Sequence, residues 1–232
     1  MAAQRVWRNR SLVQTLGLSE SDVRVVLTRA QELKKMWLGW KGSEFPHASL
    51  KGRTVVNLFF ESSTRTRSSF ELAARRLGGD VLNFTAETSS VTKGETLFDT
   101  ARNLEAMEPD LLVVRHASAG APLQLSKMIK VPLINAGDGF HEHPTQAFLD
   151  VFTIEEHRGT VKGRHVLIVG DIAHSRVARS NIYLLKTLGA RVSVCGPPSL
   201  MPPSIEKLGV SVFHDLRKAL ESADVVMMLR IQ

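Results

Sequence analysis

The sequence predicts an α/β fold of two similar domains, each a parallel sheet flanked by helices, joined by an interdomain helix. Three observations carry this expectation. Short apolar runs of strand length alternate with helix-length amphipathic segments along the chain. The surface-type break Arg158-Gly-Thr-Val-Lys-Gly163 interrupts that alternation, which then resumes. The length, 232 residues at 43% hydrophobic and 23% charged, suits one large or two small globular domains with cores of their own. The expected domains are 1–150 and 151–232, with the helix opened by Pro144 crossing between them.

Each element has a local reason. Ser19-Glu-Ser-Asp22 caps a helix whose apolar positions Val23, Val26, Leu27, Ala30, Leu33, Met36 and Trp37 recur at helical spacing. Gly52 to Phe60 reads as a buried strand, and Ser68 to Leu77 as a helix stopped by Gly78-Gly79. Val81–Phe84 is a short strand, Thr85–Lys93 a polar loop, and Glu95–Met107 a helix. A strand over Asp110–Arg115 leads to a helix opened by Pro122 and ending near Ile129. Val131–Ile134 is a strand, and Pro144 opens a helix reaching His157. The second half repeats the pattern: strand Arg164–Gly170, helix Ser175–Leu188, strand Arg191–Cys195, then a proline-punctuated segment with a short helix. Strand Val210–Phe213, helix Leu216–Glu221 and strand Asp224–Leu229 complete it. The last strand is apolar enough to require cover on both faces.

Composition excludes several classes. No apolar run approaches the ~18–20 residues of a membrane span, and the first ten residues lack a signal-like stretch. A single cysteine, Cys195, rules out an internal disulfide and a cysteine-built metal site. The expected setting is cytoplasmic. Net charge is +7, but residues 1–53 carry ten Lys/Arg against four Asp/Glu, and 54–232 carry twenty against nineteen. The excess is therefore N-terminal, and no aromatic run or basic heptad turns it into a nucleic-acid site.

In parallel sheets ligands meet the carboxyl ends of strands and the N-termini of helices. Five segments fall there. Phe59-Phe-Glu-Ser-Ser-Thr-Arg-Thr-Arg67 runs from a strand through Ser63, Thr64, Arg65 and Thr66 into a helix. These residues suit a phosphate, or an ordinary Ser/Thr cap with solvated arginines. The glycines of a P-loop are absent. In His141-Glu-His-Pro-Thr-Gln146, His143 stands where it can donate to a carbonyl or oxyanion, or be a surface histidine; its spacing is not that of a zinc site. Arg115 ends an apolar strand, either as a ligand contact or in a structural ion pair. Gly170-Asp-Ile-Ala-His-Ser-Arg176 has one glycine where a dinucleotide turn needs three, so Arg176 reads better as a carboxylate anchor. In Ser89-Ser-Val-Thr-Lys-Gly-Glu-Thr96, Lys93 by itself is an ordinary loop lysine.

Taken together and in this order, the five segments resemble the transcarbamoylase family over essentially the whole chain. Phe-Phe-Glu-Ser-Ser-Thr-Arg-Thr-Arg resembles its carbamoyl-phosphate signature. His-Pro-Thr-Gln and the final Leu-Arg-Ile-Gln resemble the aspartate-using branch, whereas the ornithine branch usually has Cys at the position of Thr145. The resemblance implies transfer of the carbamoyl group of carbamoyl phosphate to the α-amine of L-aspartate, an early step of pyrimidine biosynthesis. An ornithine-type or other transcarbamoylase, or an inactive fragment or assembly subunit, is the alternative.

By the same resemblance, 1–150 is the carbamoyl-phosphate-binding domain and 151–232 the aspartate-binding domain. Carbamoyl phosphate would meet Ser63, Thr64, Arg65, Thr66, Arg115, His143, Gln146 and Ser89. His143, Arg115, Thr66 and Arg65 would be catalytic. Aspartate would meet Lys93, Arg176, Arg230 and Gln232. Ser89 and Lys93 would come from a neighbouring subunit of a homotrimer, which in some assemblies also carries regulatory or dihydroorotase subunits. Glu61 would reach Arg176 when the domains close, and Ser62 stands where the family more often has Pro or Ala. No metal or organic cofactor is implied. The family continues past the last motif with a mobile loop and terminal helices, so the resemblance implies an incomplete second domain and a shortened chain.

Overall fold

The structure, a computed structural model, describes residues 11–42, 45, 47–85 and 96–231. These residues form two four-stranded parallel sheets with helices between their strands. The described residues divide into two compact units, one of 11–13 and 28–139 and one of 14–27 and 140–231.

The first unit holds β1 (Thr54–Phe59), β2 (Asp80–Thr85), β3 (Leu111–His116) and β4 (Leu133–Asp138), in the order β2-β1-β3-β4. Strand alternation sorts its core into two faces. Val56, Leu58, Leu112, Val114 and Leu133 pack in one cluster, and Val55, Phe59, Val113 and Ala136 in another. Asn57, buried in the middle of β1, gives its side-chain NH2 to Asn83 Oδ1 at 2.9 Å. Helix α2 (Thr64–Arg76) follows β1, α3 (Leu97–Glu105) precedes β3, and α4 (Ala121–Met128) links β3 to β4.

The second unit holds β5 (His165–Val169), β6 (Arg191–Cys195), β7 (Ser211–Phe213) and β8 (Val225–Met228), in the order β7-β6-β5-β8. Its helices are α5 (Pro144–Arg158), α6 (Arg176–Thr187) and α7 (Leu216–Leu220), and two 3₁₀ turns occupy the proline-punctuated segment. The start of α1 (Glu20–Gly39) belongs here too, where Arg24 Nη1 lies 2.8 Å from both oxygens of Glu155.

Three elements depart from the sequence expectation. Helix α2 begins at Thr64, four residues early, so the Ser-Thr-Arg-Thr motif is its cap and first turn. The strand expected over Val131–Ile134 runs instead over Leu133–Asp138. Its inner half pairs with residues just past the N-terminal segment: Leu12 N donates to Leu133 O at 2.8 Å and Asn135 N to Leu12 O at 2.9 Å. Those partners lie some 120 residues away in sequence, and no local pattern reveals them. Finally, among the described residues β8 pairs with β5 alone and alternates partly buried Val225 and Met227 with exposed Val226 and Met228, so one of its faces is uncovered there.

Candidate active site

In the first sheet the neighbouring strands β1 and β3 have connections leading in opposite directions, to β2 and to β4; in the second, β5 leads to β6 on one side and has β8 on the other. The carboxyl ends of such a pair diverge into a crevice suited to a ligand. Ser63 to Thr66 and Arg115 follow or end strands of the first pair, Arg176 and Arg230 follow those of the second, and His143 and Gln146 stand at the start of α5.

In the first unit, β1 leads through Phe60 and Glu61 to Ser63, which caps α2 with extended backbone (φ −161°, ψ 90°). The Ser63 side chain makes no capping hydrogen bond, and the first turn of α2 carries no acidic residue. Other helices finish their own ends. Thr96 and Asp99 form a capping box on α3, the Ser175 hydroxyl accepts from Ala178 N, and Asp215 accepts from Arg217 N and Lys218 N. At α4, Gly120 N donates to Asp138 Oδ2 at 2.6 Å. The α2 terminus thus keeps backbone donors and a positive dipole end directed outward, beside the hydroxyls of Thr64 and Thr66 and the exposed Arg65.

Arg115 lies on β3, directly across from Phe59 of β1. It is 8% exposed, and a guanidinium so buried needs partners. Its Nη1 donates to Ala136 O at 3.2 Å and its Nη2 to Glu61 Oε1 at 2.9 Å. Arg115 thus stands at the carboxyl end of β3 and in an ion pair with Glu61. The Glu61 partnership was not legible in the sequence, which pointed Glu61 toward Arg176. Burial pushes the neighbouring His116 imidazole below its ordinary pKa.

In the second unit, His143 caps α5 and is buried, with Pro144 setting the first turn. Like α2, α5 has no side-chain cap. The His143 backbone is pinned instead, its N–H donating to Ser180 Oγ at 2.8 Å. Ser180 in turn donates to Glu142 Oε2 at 2.8 Å, and the same oxygen accepts from Thr15 N and Thr15 Oγ1, both at 2.6 Å. Glu142 is fully buried, and sequence reasoning passed over it as part of the His-Glu-His run. The Thr145 hydroxyl lies 3.4 Å from His143 Nδ1. When that hydroxyl donates, the ring proton resides on Nε2.

Gln146, one turn into α5, donates from Nε2 to Asp150 Oδ1 at 2.8 Å, and Asn181 of α6 donates to Asp150 Oδ2 at 2.8 Å. Burial raises the Asp150 pKa, and these two bonds oppose that rise. Arg176 opens α6 just after β5, while Arg230 is exposed just past β8. The two strand ends stay adjacent: Leu229 N donates to Val169 O at 2.8 Å. Gly170 is required there. Its φ is +130°, and a Cβ would stand 2.9 Å from Leu229 O. Burial and nearby Asp215 push the Cys195 thiol up, away from reactivity. Ser89, Lys93 and Gln232 lie outside the described residues.

Residues 10–156 match the family model for the aspartate/ornithine carbamoyltransferase carbamoyl-P binding domain. The chain belongs to the aspartate/ornithine carbamoyltransferase family, and its relatives place it among the aspartate carbamoyltransferase catalytic chains. It is 54% identical to the aspartate carbamoyltransferase catalytic subunit of Beijerinckia indica over 224 residues, covering 97% of this chain and 70% of that one. With the catalytic subunit of Acidiphilium cryptum the identity is 61% over 223 residues, covering 96% and 71%. Among solved structures it is similar to Trypanosoma cruzi aspartate transcarbamoylase in complex with carbamoyl phosphate and aspartate, with a TM-score of 0.85 and 34% identity over 96% of this chain and 76% of that one. The catalytic subunit of M. jannaschii aspartate transcarbamoylase gives a TM-score of 0.84 and 34% identity, covering 97% and 74%.

Proposed function

We propose that the α2 terminus holds the phosphate of carbamoyl phosphate through Ser63, Thr64, Arg65 and Thr66, while Arg115, His143 and Thr66 donate to its carbonyl oxygen. Gln146 meets the carbamoyl nitrogen. Arg176, Arg230 and Gln232 anchor the carboxylates of L-aspartate, and Ser89 and Lys93 enter from the neighbouring subunit of a homotrimer. Residues 1–150 thus serve carbamoyl phosphate and 151–232 serve aspartate. The reaction is carbamoyl transfer to aspartate, giving N-carbamoyl-L-aspartate and phosphate for pyrimidine biosynthesis in the cytoplasm.

The chemistry follows from these donors. The deprotonated α-amine attacks the carbamoyl carbon, and negative charge gathers on the former carbonyl oxygen. Preorganised donors aimed at that oxygen are worth ~3–4 kcal/mol each in favourable cases. The C–O bond to phosphate then breaks as the carbonyl re-forms, the extra proton on the attacking nitrogen passes to the departing phosphate oxygen, and Arg65 with the hydroxyls and backbone N–H groups of α2 receives the leaving anion. Binding two anionic substrates in order supplies much of the remaining acceleration. Two arginines at the β5/β8 edge suit a second substrate with two carboxylates and repel the cationic side chain of ornithine.

The observation that carries the reading is the uncapped, acid-free α2 N-terminus beside Arg115. Arg65→Ala should weaken binding of a phosphate ligand by more than tenfold, since a charged hydrogen-bond partner contributes about 1.5–3 kcal/mol. Calorimetry showing unchanged affinity in a folded variant rejects it.

A further inference from the structure

We propose that Asp150 and Asn181 are positioning residues that set the polarity of the Gln146 amide, so that its carbonyl Oε1 rather than its NH2 is offered to the substrate. The inference rests on the reading of Gln146 as the contact to the carbamoyl nitrogen, and it adds how the site selects an amide over other acyl groups.

The hydrogen bonds force the orientation. Gln146 and Asp150 stand four residues apart on α5, on the same helical face. An ionised carboxylate only accepts, so Gln146 must turn its NH2 toward Asp150 Oδ1, as it does at 2.8 Å. Asn181 is fully buried on α6 and is itself locked. Its Nδ2 donates both to Asp150 Oδ2 at 2.8 Å and to Val177 O at 3.0 Å, and reversing that amide would set its oxygen against two acceptors. Asp150 is therefore held between two donors and accepts from each. The end of Gln146 left for a ligand is an acceptor, which attracts an N–H donor and repels a phosphoryl or ester oxygen. A carbamoyl group offers such a donor; an acetyl group of the same shape does not.

The test uses two probes, phosphonoacetamide and inorganic phosphate, and reads the ratio of their affinities. Both occupy a phosphate site; the first adds a carbonyl, whose proposed contacts are the same in every variant compared, and the amide NH2 that faces residue 146, so a change in the ratio between variants reads the NH2 contact. In Asp150→Asn, residue 150 has one acceptor oxygen for two donors. Asn181 is tied to Val177, so half-buried Gln146 turns over and presents NH2 to the ligand's NH2. The ratio should fall more than tenfold, while phosphate affinity stays within about twofold. Adding Gln146→Glu should restore it, because one carboxylate oxygen accepts from the amide introduced at position 150 and the other faces the ligand. Asn181→Ala, which removes one clamp on Asp150, should lower the ratio in the same direction and provides the test should Asp150→Asn not fold. A ratio unmoved in the single variants overturns the proposal. A ratio lost but not restored in the double variant also overturns it, because Asp150 is then merely structural. Wild-type protein that binds phosphate but shows no preference for the amide instead overturns the underlying assignment of Gln146.

Discussion

Glu142 shows how a single buried charge can serve a site it does not enter. Its Oε2 accepts from Thr15 N, Thr15 Oγ1 and Ser180 Oγ, and Ser180 Oγ also accepts from His143 N. Hydrogen bonds to an ionised group contribute about 1.5–3 kcal/mol each, and a buried donor left unpaired costs about 1–3 kcal/mol. Glu142→Gln puts an NH2 among these donors. It should lower stability in urea unfolding by about 3 kcal/mol and reduce turnover through a displaced His143. Wild-type stability for this variant would show that the network is not holding His143. Ser180→Ala, which keeps the carboxylate but removes the hydroxyl, should affect turnover more than stability.

The two sheets share a device at the amino ends of the strand pairs β1/β3 and β5/β8. Asp110, just before β3, accepts from Thr54 N of β1 at 2.8 Å and pairs with Arg53 at 2.6 Å. Asp224, just before β8, accepts from His165 N of β5 at 2.7 Å. In both, the backbone hydrogen bond is the main cause that holds the carboxylate below its ordinary pKa. A carboxylate lowered on folding adds stability above its unfolded value, about 4, and loses it as pH falls through the folded value. Asp110→Asn and Asp224→Asn should therefore lower Tm at neutral pH and lower it progressively less at acidic pH, as the wild-type carboxylate takes up its proton. An equal Tm loss at neutral and acidic pH would assign the effect to packing. At the opposite ends of the same strands lie the candidate site residues, so the carboxylates align the pairs whose divergence forms the crevices.

At the scale of the whole molecule, the prediction concerns sites shared between subunits. Arg65→Ala and Lys93→Ala should each be nearly inactive when alone. Mixed equally and reassembled at random as trimers, about one quarter of sites would join two intact halves. Recovery to about that fraction supports a shared site, and activity no higher than that of the separate variants rejects it. Dilution series on the mixture, read by sedimentation, separate failed exchange from failed complementation.

Most of this molecule was legible in its residues because the causes are local. Alternating apolar strands and capped amphipathic helices define the parallel α/β class, and five motifs at the strand-to-helix turns mark the candidate site. Where causes act over long distances, the sequence was silent. The early start of α2 became visible only when Thr64–Thr66 were seen inside the first turn. The course of β4 depends on pairing with Leu12, and the exposure of Val226 and Met228 on what covers one face of β8, which local sequence does not fix. The pairing of Arg115 with Glu61 and the enclosure of Glu142 by Thr15 and Ser180 arise from residues distant in sequence. Residue type dictates which groups can bind an anion or polarise a carbonyl. The tertiary structure decides which of them are desolvated, which donor each acceptor receives, and therefore which way an amide such as Gln146 must face, because a buried polar group takes its orientation from its partners.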